Sequence, residues 1–163
     1  MAHPKKIVLL GHFGVGKTSL IRRFVESQFS EDYLVTVGVH VKKKEISIDG
    51  NNITLVIWDI EGNTSIDKAR KSYLLGTSGF IYVFDISRPE TFESLETEMK
   101  YLQDNFENVP VEIVGNKKDK FGEAVSEEFF KTQRFENCTF TSAKEGDNVE
   151  DAFEQLTRKM LAI

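Results

Sequence analysis

One cysteine in 163 residues rules out an internal disulfide. That residue, Cys138, falls in a stretch that reads as a strand. No apolar run approaches the ~20 residues that a membrane-spanning helix needs. The opening Met1-Ala2-His3-Pro4-Lys5-Lys6 lacks the apolar h-region of a secretory signal. Ala2 stands where N-myristoylation requires glycine. Positive charge is also scarce. Lys and Arg number 21 against 26 Asp and Glu, a net charge of −5. That balance argues against nonspecific nucleic-acid binding, which uses a basic surface. Internal repeats and low-complexity segments are absent. The expectation is a cytoplasmic protein with one domain over residues 1–163 and one core. Its hydrophobic content of 40% suits such a chain.

What is present alternates between two periods. Ile7-Val8-Leu9-Leu10 reads as a short buried strand. It runs into Gly11-His12-Phe13-Gly14-Val15-Gly16-Lys17-Thr18, with the spacing G-x-x-x-x-G-K-[ST]. Leu20, Ile21, Phe24 and Val25 follow at helical spacing, so the loop joins a strand to a helix. Glycines let such a loop curl around phosphate oxygens with its N–H groups inward. The helix N-terminus adds partial positive charge. Lys17 can bridge the β- and γ-phosphates, and the Thr18 hydroxyl can hold Mg2+.

Residues 27–37 are mixed polar and aromatic and read as a loop. Two strand-like runs, Val39–Ile48 and residues 53–58, flank the hairpin signal Asp49-Gly50-Asn51-Asn52. The second run ends at Asp59, and a helix is expected to end near Gly76. Phe80-Ile81-Tyr82-Val83-Phe84 is apolar throughout, which suits a strand covered on both faces. Ser87-Arg88-Pro89-Glu90 resembles a capping box with proline in the first turn. Phe92, Leu95, Met99, Leu102 and Phe106 then stripe a long helix. Residues 111–114 read as a strand, 126–134 as a short helix and Thr139-Phe140-Thr141 as the last strand. Val149, Ala152, Phe153, Leu156 and Met160 stripe the last helix. This order predicts a mostly parallel sheet with helices on both faces and one antiparallel edge strand. Ligands of such sheets sit beyond the carboxyl ends of the strands, where each motif here begins.

Three further motifs refine the chemistry. Asp59-Ile60-Glu61-Gly62 follows a strand; the Asp59 carboxylate can hold Mg2+ through water, and the Gly62 N–H can meet a γ-phosphate. Asn116-Lys117-Lys118-Asp119 follows another strand. A carboxylate at Asp119 can accept two N–H bonds from guanine, whereas adenine would leave the charge unpaired. Lys117 can lay its alkyl stem on the base plane. Ser142-Ala143-Lys144 follows the last strand, where the Ala143 N–H can meet guanine O6.

Residues 11–18, Thr36, residues 59–62, 116–119 and 142–144 occur in the order and spacing of Ras-superfamily small GTPases, which the chain resembles over nearly its whole length. Within that superfamily it looks most like the Rab branch. The strings that carry this are Thr36-Val37-Gly38-Val39, Val56-Ile57-Trp58-Asp59, Ser72-Tyr73-Leu74-Leu75-Gly76, and Thr141-Ser142-Ala143-Lys144 with Asn148-Val149. The resemblance implies a P-loop α/β fold with a six-stranded sheet. It also implies a monomeric GTP/GDP switch with bound Mg2+, and a place in signalling or vesicle trafficking. It assigns nucleotide contacts to Gly11, Phe13, Gly14, Val15, Gly16, Lys17, Thr18, Ser19, Phe29, Tyr33, Thr36, Gly62, Asn116, Lys117, Asp119, Ser142, Ala143 and Lys144. Thr18, Thr36 and Asp59 would hold the metal, and Lys17, Thr36 and Asn63 would serve hydrolysis. Exchange factor, activating protein and effectors would meet residues 30–41 and 60–75, the two switches ordered by the γ-phosphate.

Four positions depart from the family pattern. Asn63 stands where a glutamine usually orients the attacking water, and its amide falls short by about one C–C bond, ~1.5 Å. Either hydrolysis is slowed or another group or a partner places the water. Phe13 occupies a usually small position; its ring lies near the γ-phosphate or packs on Ile60 or Ile66. Glu61 replaces a usual alanine and is expected to point away, toward Lys68 or Arg70. Rab members end in a tail with prenylated cysteines, whereas this sequence stops at Leu161-Ala162-Ile163. Membrane attachment is therefore expected only with such a tail. Two functional readings follow: a slowly hydrolysing switch, and a GTP-loaded binding module that hardly turns over. A third, a P-loop kinase or ATPase, is disfavoured by Asp119.

Overall fold

Alternation along β1 (Lys5–Leu10) divides the interior in two. Ile7 and Leu9 enter one core, and Val8 and Leu10 enter the other. The computed structural model describes residues 3–27, 38–60, 62, 66–122, 128 and 137–162. Its remaining strands are β2 (Val39–Ile48), β3 (Asn51–Ile60), β4 (Gly79–Asp85), β5 (Val111–Asn116) and β6 (Cys138–Phe140). Its α-helices are α1 (Lys17–Glu26), α2 (Lys71–Leu74), α3 (Leu95–Asn105) and α4 (Val149–Leu161). The six strands form one sheet in the order β2-β3-β1-β4-β5-β6. Every pairing is parallel except β2 with β3. The expected architecture is thus present, with the antiparallel strand at the edge.

The first core packs Leu20, Ile21 and Phe24 of α1 against Phe153, Leu156 and Met160 of α4 under the sheet. The second packs Leu74 of α2 and Leu102 of α3 against Phe80 and Tyr82. Burying each such side chain contributes about 1.5–3 kcal/mol relative to leaving it exposed. All seven residues of β4 are buried, as its unbroken apolar run predicts for a central strand. Between β2 and β3, Asp49 and Gly50 both adopt positive φ, 51° and 83°, which is the two-residue turn that right-twisted strands prefer. Strand β3 starts two residues earlier than expected and runs on past Asp59 to Ile60, which pairs with Val39.

The capping-box reading at residues 87–90 fails. The Ser87 hydroxyl and N–H both go to Asp85 Oδ1, at 2.6 and 2.9 Å. Pro89–Thr91 is a 3-10 turn, and α3 begins only at Leu95, with no side-chain cap. A carboxylate at the strand end competes for the serine. The helix expected over 126–134 lies outside the described residues apart from Glu128.

Candidate nucleotide site

Strand β1 stands where the chain's winding reverses, since β3 and β2 lie to one side and β4, β5 and β6 to the other. Open α/β sheets bind ligands at that point, beyond the strand ends. The loop of residues 11–16 leaves β1 there and feeds α1. Gly16 has φ 103°, and a Cβ on it would lie 2.2 Å from Asn116 Nδ2, so only glycine fits. A Cβ on Gly62 would lie 2.5 Å from the Phe13 nitrogen. The chain after Asp59 therefore passes directly against the loop backbone.

Each carbonyl of this loop has a donor. Lys17 Nζ donates to Gly11 O at 3.1 Å and His12 O at 3.2 Å. Arg88 Nη1 donates to Phe13 O at 3.0 Å, Lys117 Nζ to Gly14 O at 3.3 Å and Asn116 Nδ2 to Val15 O at 3.0 Å. The Leu20 N–H closes the set on Gly16 O at 2.9 Å. In a trans peptide the N–H points opposite to its carbonyl, and no described peptide is cis. Donors reaching from β4 and β5 thus turn the N–H groups of Gly14, Val15 and Gly16 away from those strands.

Lys17 is only 6% exposed. Burial lowers its ammonium to about 8, partly offset by Asp59. Thr18 Oγ1 donates to Asp59 Oδ2 at 2.6 Å, so a hydroxyl from α1 and a carboxylate from β3 converge beside the loop. These are hard oxygen donors, the kind that suits Mg2+. Among the described residues no group of three His, Cys, Asp or Glu forms a protein-only metal cage. A one-carboxylate set leaves positions for water and phosphate oxygens, as Mg2+ prefers. His12 is held below its usual value by burial first and by Arg88 next. Phe13 is 48% exposed.

Asn116 joins the two halves of the site. Its Nδ2 holds Val15 O, while its Oδ1 accepts from Thr141 Oγ1 at 3.0 Å and the Ala143 N–H at 3.3 Å. Asp119 Oδ1 accepts from Ser142 Oγ at 2.8 Å. Lys117 has φ 70° and stretches between Asp85 Oδ2 at 2.8 Å and Gly14 O. Its ammonium thereby links the end of β4 to the phosphate loop. Ser19 sits half-buried in the first turn of α1. Lys144 O accepts from Arg23 Nη2 at 2.5 Å. The expected residues Gly11, Phe13, Gly14, Val15, Gly16, Lys17, Thr18, Asp59, Gly62, Asn116, Lys117, Asp119, Ser142 and Ala143 thus line one rim of the sheet. Phe29, Tyr33, Thr36, Asn63 and the departure at Glu61 lie outside the described residues.

Sequence reasoning missed three supports. Asp85 is fully buried and holds Lys117; an acid closing an unbroken apolar strand was the available signal. Thr141 donates to Asn116 from just before the Ser-Ala-Lys string. Arg23 Nε donates to Ala143 O at 2.8 Å across 120 residues of sequence, and no local pattern announces that contact.

Comparison with known proteins agrees with this geometry. The Ras-related protein Rab-18-B of Danio rerio is 38% identical, with 96% of this chain and 78% of the relative aligned. The Ras-related protein Rab-13 is 35% identical in both Canis lupus familiaris and Mesocricetus auratus, with 98% of this chain and 81% of the relative aligned. The family model described as Ras family matches residues 6–162. The chain therefore belongs to the Ras family, as a Rab-like small GTP-binding switch protein of the GTPase class.

Proposed function

We propose that this chain is one G domain that binds GTP and GDP with Mg2+ and hydrolyses GTP slowly. The observation that carries the reading is the Asn116 side chain, which ties the phosphate loop at Val15 to the base-reading loop at Thr141 and Ala143. A ligand with phosphates at one end and a purine at the other fits such a pairing. Lys17 binds the β- and γ-phosphates, and Thr18, Thr36 and Asp59 hold the metal, which supplies charge neutralisation on the phosphates when bound. Asp119 accepts from guanine N1 and the exocyclic amine. The Ala143 N–H, spending only a 3.3 Å bond on Asn116, turns to guanine O6. Phe29 and Tyr33 flank the nucleotide. The two switches, residues 30–41 and 60–75, present its state to exchange factor, activator and effectors. Attachment to a membrane requires a lipidated tail following the last helix.

Slow turnover follows from Asn63 and Phe13. A misplacement of about 1 Å can cost on the order of a hundredfold in rate. The half-exposed Phe13 ring also gives weight to a second reading, a GTP-loaded module that hardly hydrolyses. Single-turnover hydrolysis decides between them, measured on the unsubstituted chain, Asn63→Gln, Phe13→Gly and the double variant. Slow turnover predicts a gain of roughly ten- to a hundredfold for Asn63→Gln. If the ring blocks the longer amide, the double variant exceeds the product of the single effects. A rate that matches ordinary family members and stays unchanged in all three variants contradicts both readings.

A further inference from the structure

Of the side chains that donate to carbonyls of the phosphate loop, Lys17, Lys117 and Asn116 belong to motifs legible in the sequence. Arg88 does not. It sits in the turn between β4 and α3, and its Nη1 donates to Phe13 O at 3.0 Å. Its Nε donates to Glu90 Oε1 at 3.1 Å, so two of the guanidinium's N–H groups are engaged at once. The turn that carries it is braced as well. The Arg88 N–H donates to Asp85 O at 3.0 Å, and Thr91 Oγ1 donates to Arg88 O at 2.7 Å.

The peptide it holds precedes a glycine and is therefore able to rotate. Flipping the peptide between residues 13 and 14 exchanges ψ of the first against φ of the second. Gly14, already at φ 78°, tolerates either sign of φ. With Phe13 O turned toward Arg88, the Gly14 N–H faces the opposite way. A flip would point a carbonyl where that N–H now stands, replacing attraction to a phosphate oxygen with repulsion.

We propose that Arg88 is a positioning residue for nucleotide binding, locking the Phe13–Gly14 peptide so that the Gly14 N–H faces the phosphates. This rests on the phosphate-loop reading above. Lysine preserves the charge but cannot hold Phe13 O and Glu90 with the same rigid fork. The test uses the full chain with Mg2+ and the fluorescent probe mant-GDP, comparing the parent with Arg88→Ala and Arg88→Lys. Dissociation should quicken roughly tenfold in Arg88→Ala, the scale of one hydrogen bond to a charged group, and severalfold in Arg88→Lys. The Gly14 amide resonance and the 31P resonance of the β-phosphate should both move in Arg88→Ala. A loss of bulk stability alone would lower the melting temperature and leave both resonances in place. Dissociation within twofold of the parent, with the Gly14 amide unmoved, overturns the proposal and leaves the phosphate-loop reading intact. Failure of the parent to bind mant-GDP overturns both.

Discussion

Lys17 carries a nearly buried charge at the centre of the candidate site. Its ammonium is wedged against the carbonyls of Gly11 and His12, with burial lowering it to about 8 from an ordinary 10.5. The sign of the consequence is fixed by linkage. Between about pH 8 and 10.5 the unfolded chain carries a charged Lys17 and the folded, ligand-free chain a neutral one, so stability rises with pH across that window. Below it the cost of burying the charge is fully present. Added phosphates restore the charged form, so nucleotide binding at pH 9 should take up a proton, approaching about one per site. Calorimetry in two buffers of unlike ionisation enthalpy reads this directly; no uptake at pH 9 would contradict it. The sequence announced Lys17, Thr18, Asp59 and Asp119 because each falls in a short local motif at the end of a strand. It did not announce Asp85 or Arg23, because each acts across the sheet on residues far away in the chain.

At the scale of elements, the ends of β3, β4 and β5 matter more than their middles. These strands deliver Asp59, Asp85 and Asn116 at the same rim because the parallel register aligns Leu9 with Asp59 and with Ile81, and Asp85 with Asn116. Asn116 then converts alignment into a joint, at 2% exposure and with three hydrogen bonds to two other loops. Asn116→Ala leaves Val15 O and the Thr141 hydroxyl without that partner in a dry setting. It should cost about 2–3 kcal/mol, lowering the melting temperature of a chain this size by roughly 5–10 °C. Differential scanning calorimetry without nucleotide checks this, and a shift under about 1 °C would show that the two loops are not joined through this side chain. The strands and long helices were legible because apolar period follows burial directly. The boundaries at residues 87–95 were not, because Asp85 captured the serine that a helix cap would use. Nor was the way α3 meets the turn at Ile66–Lys68, where the buried Glu98 accepts the Ile66 N–H at 2.8 Å. Burial pushes that carboxyl up, and nothing in a helical stripe foretells a buried acid.

For the whole molecule, the two cores on opposite faces of the sheet leave one rim for chemistry, and the strand order puts the phosphate loop at its centre. No described helix is long and apolar enough to cross a membrane. The Ras-family match spans residues 6–162 and so takes in every strand of the sheet from Lys6 on. Two features of this chain stand out at the rim: the half-exposed ring of Phe13 and the arginine that holds its carbonyl. All of it presumes a guanine nucleotide in the site. The direct measurement is displacement of bound mant-GDP, with Mg2+ present, by GDP and by ADP over the same concentration range. GDP should displace the probe at stoichiometric levels, while ADP should fail even at roughly a thousandfold excess, since a carboxylate left unpaired against the base at Asp119 costs several kcal/mol. Displacement by ADP at the same concentration as GDP would contradict the guanine assignment.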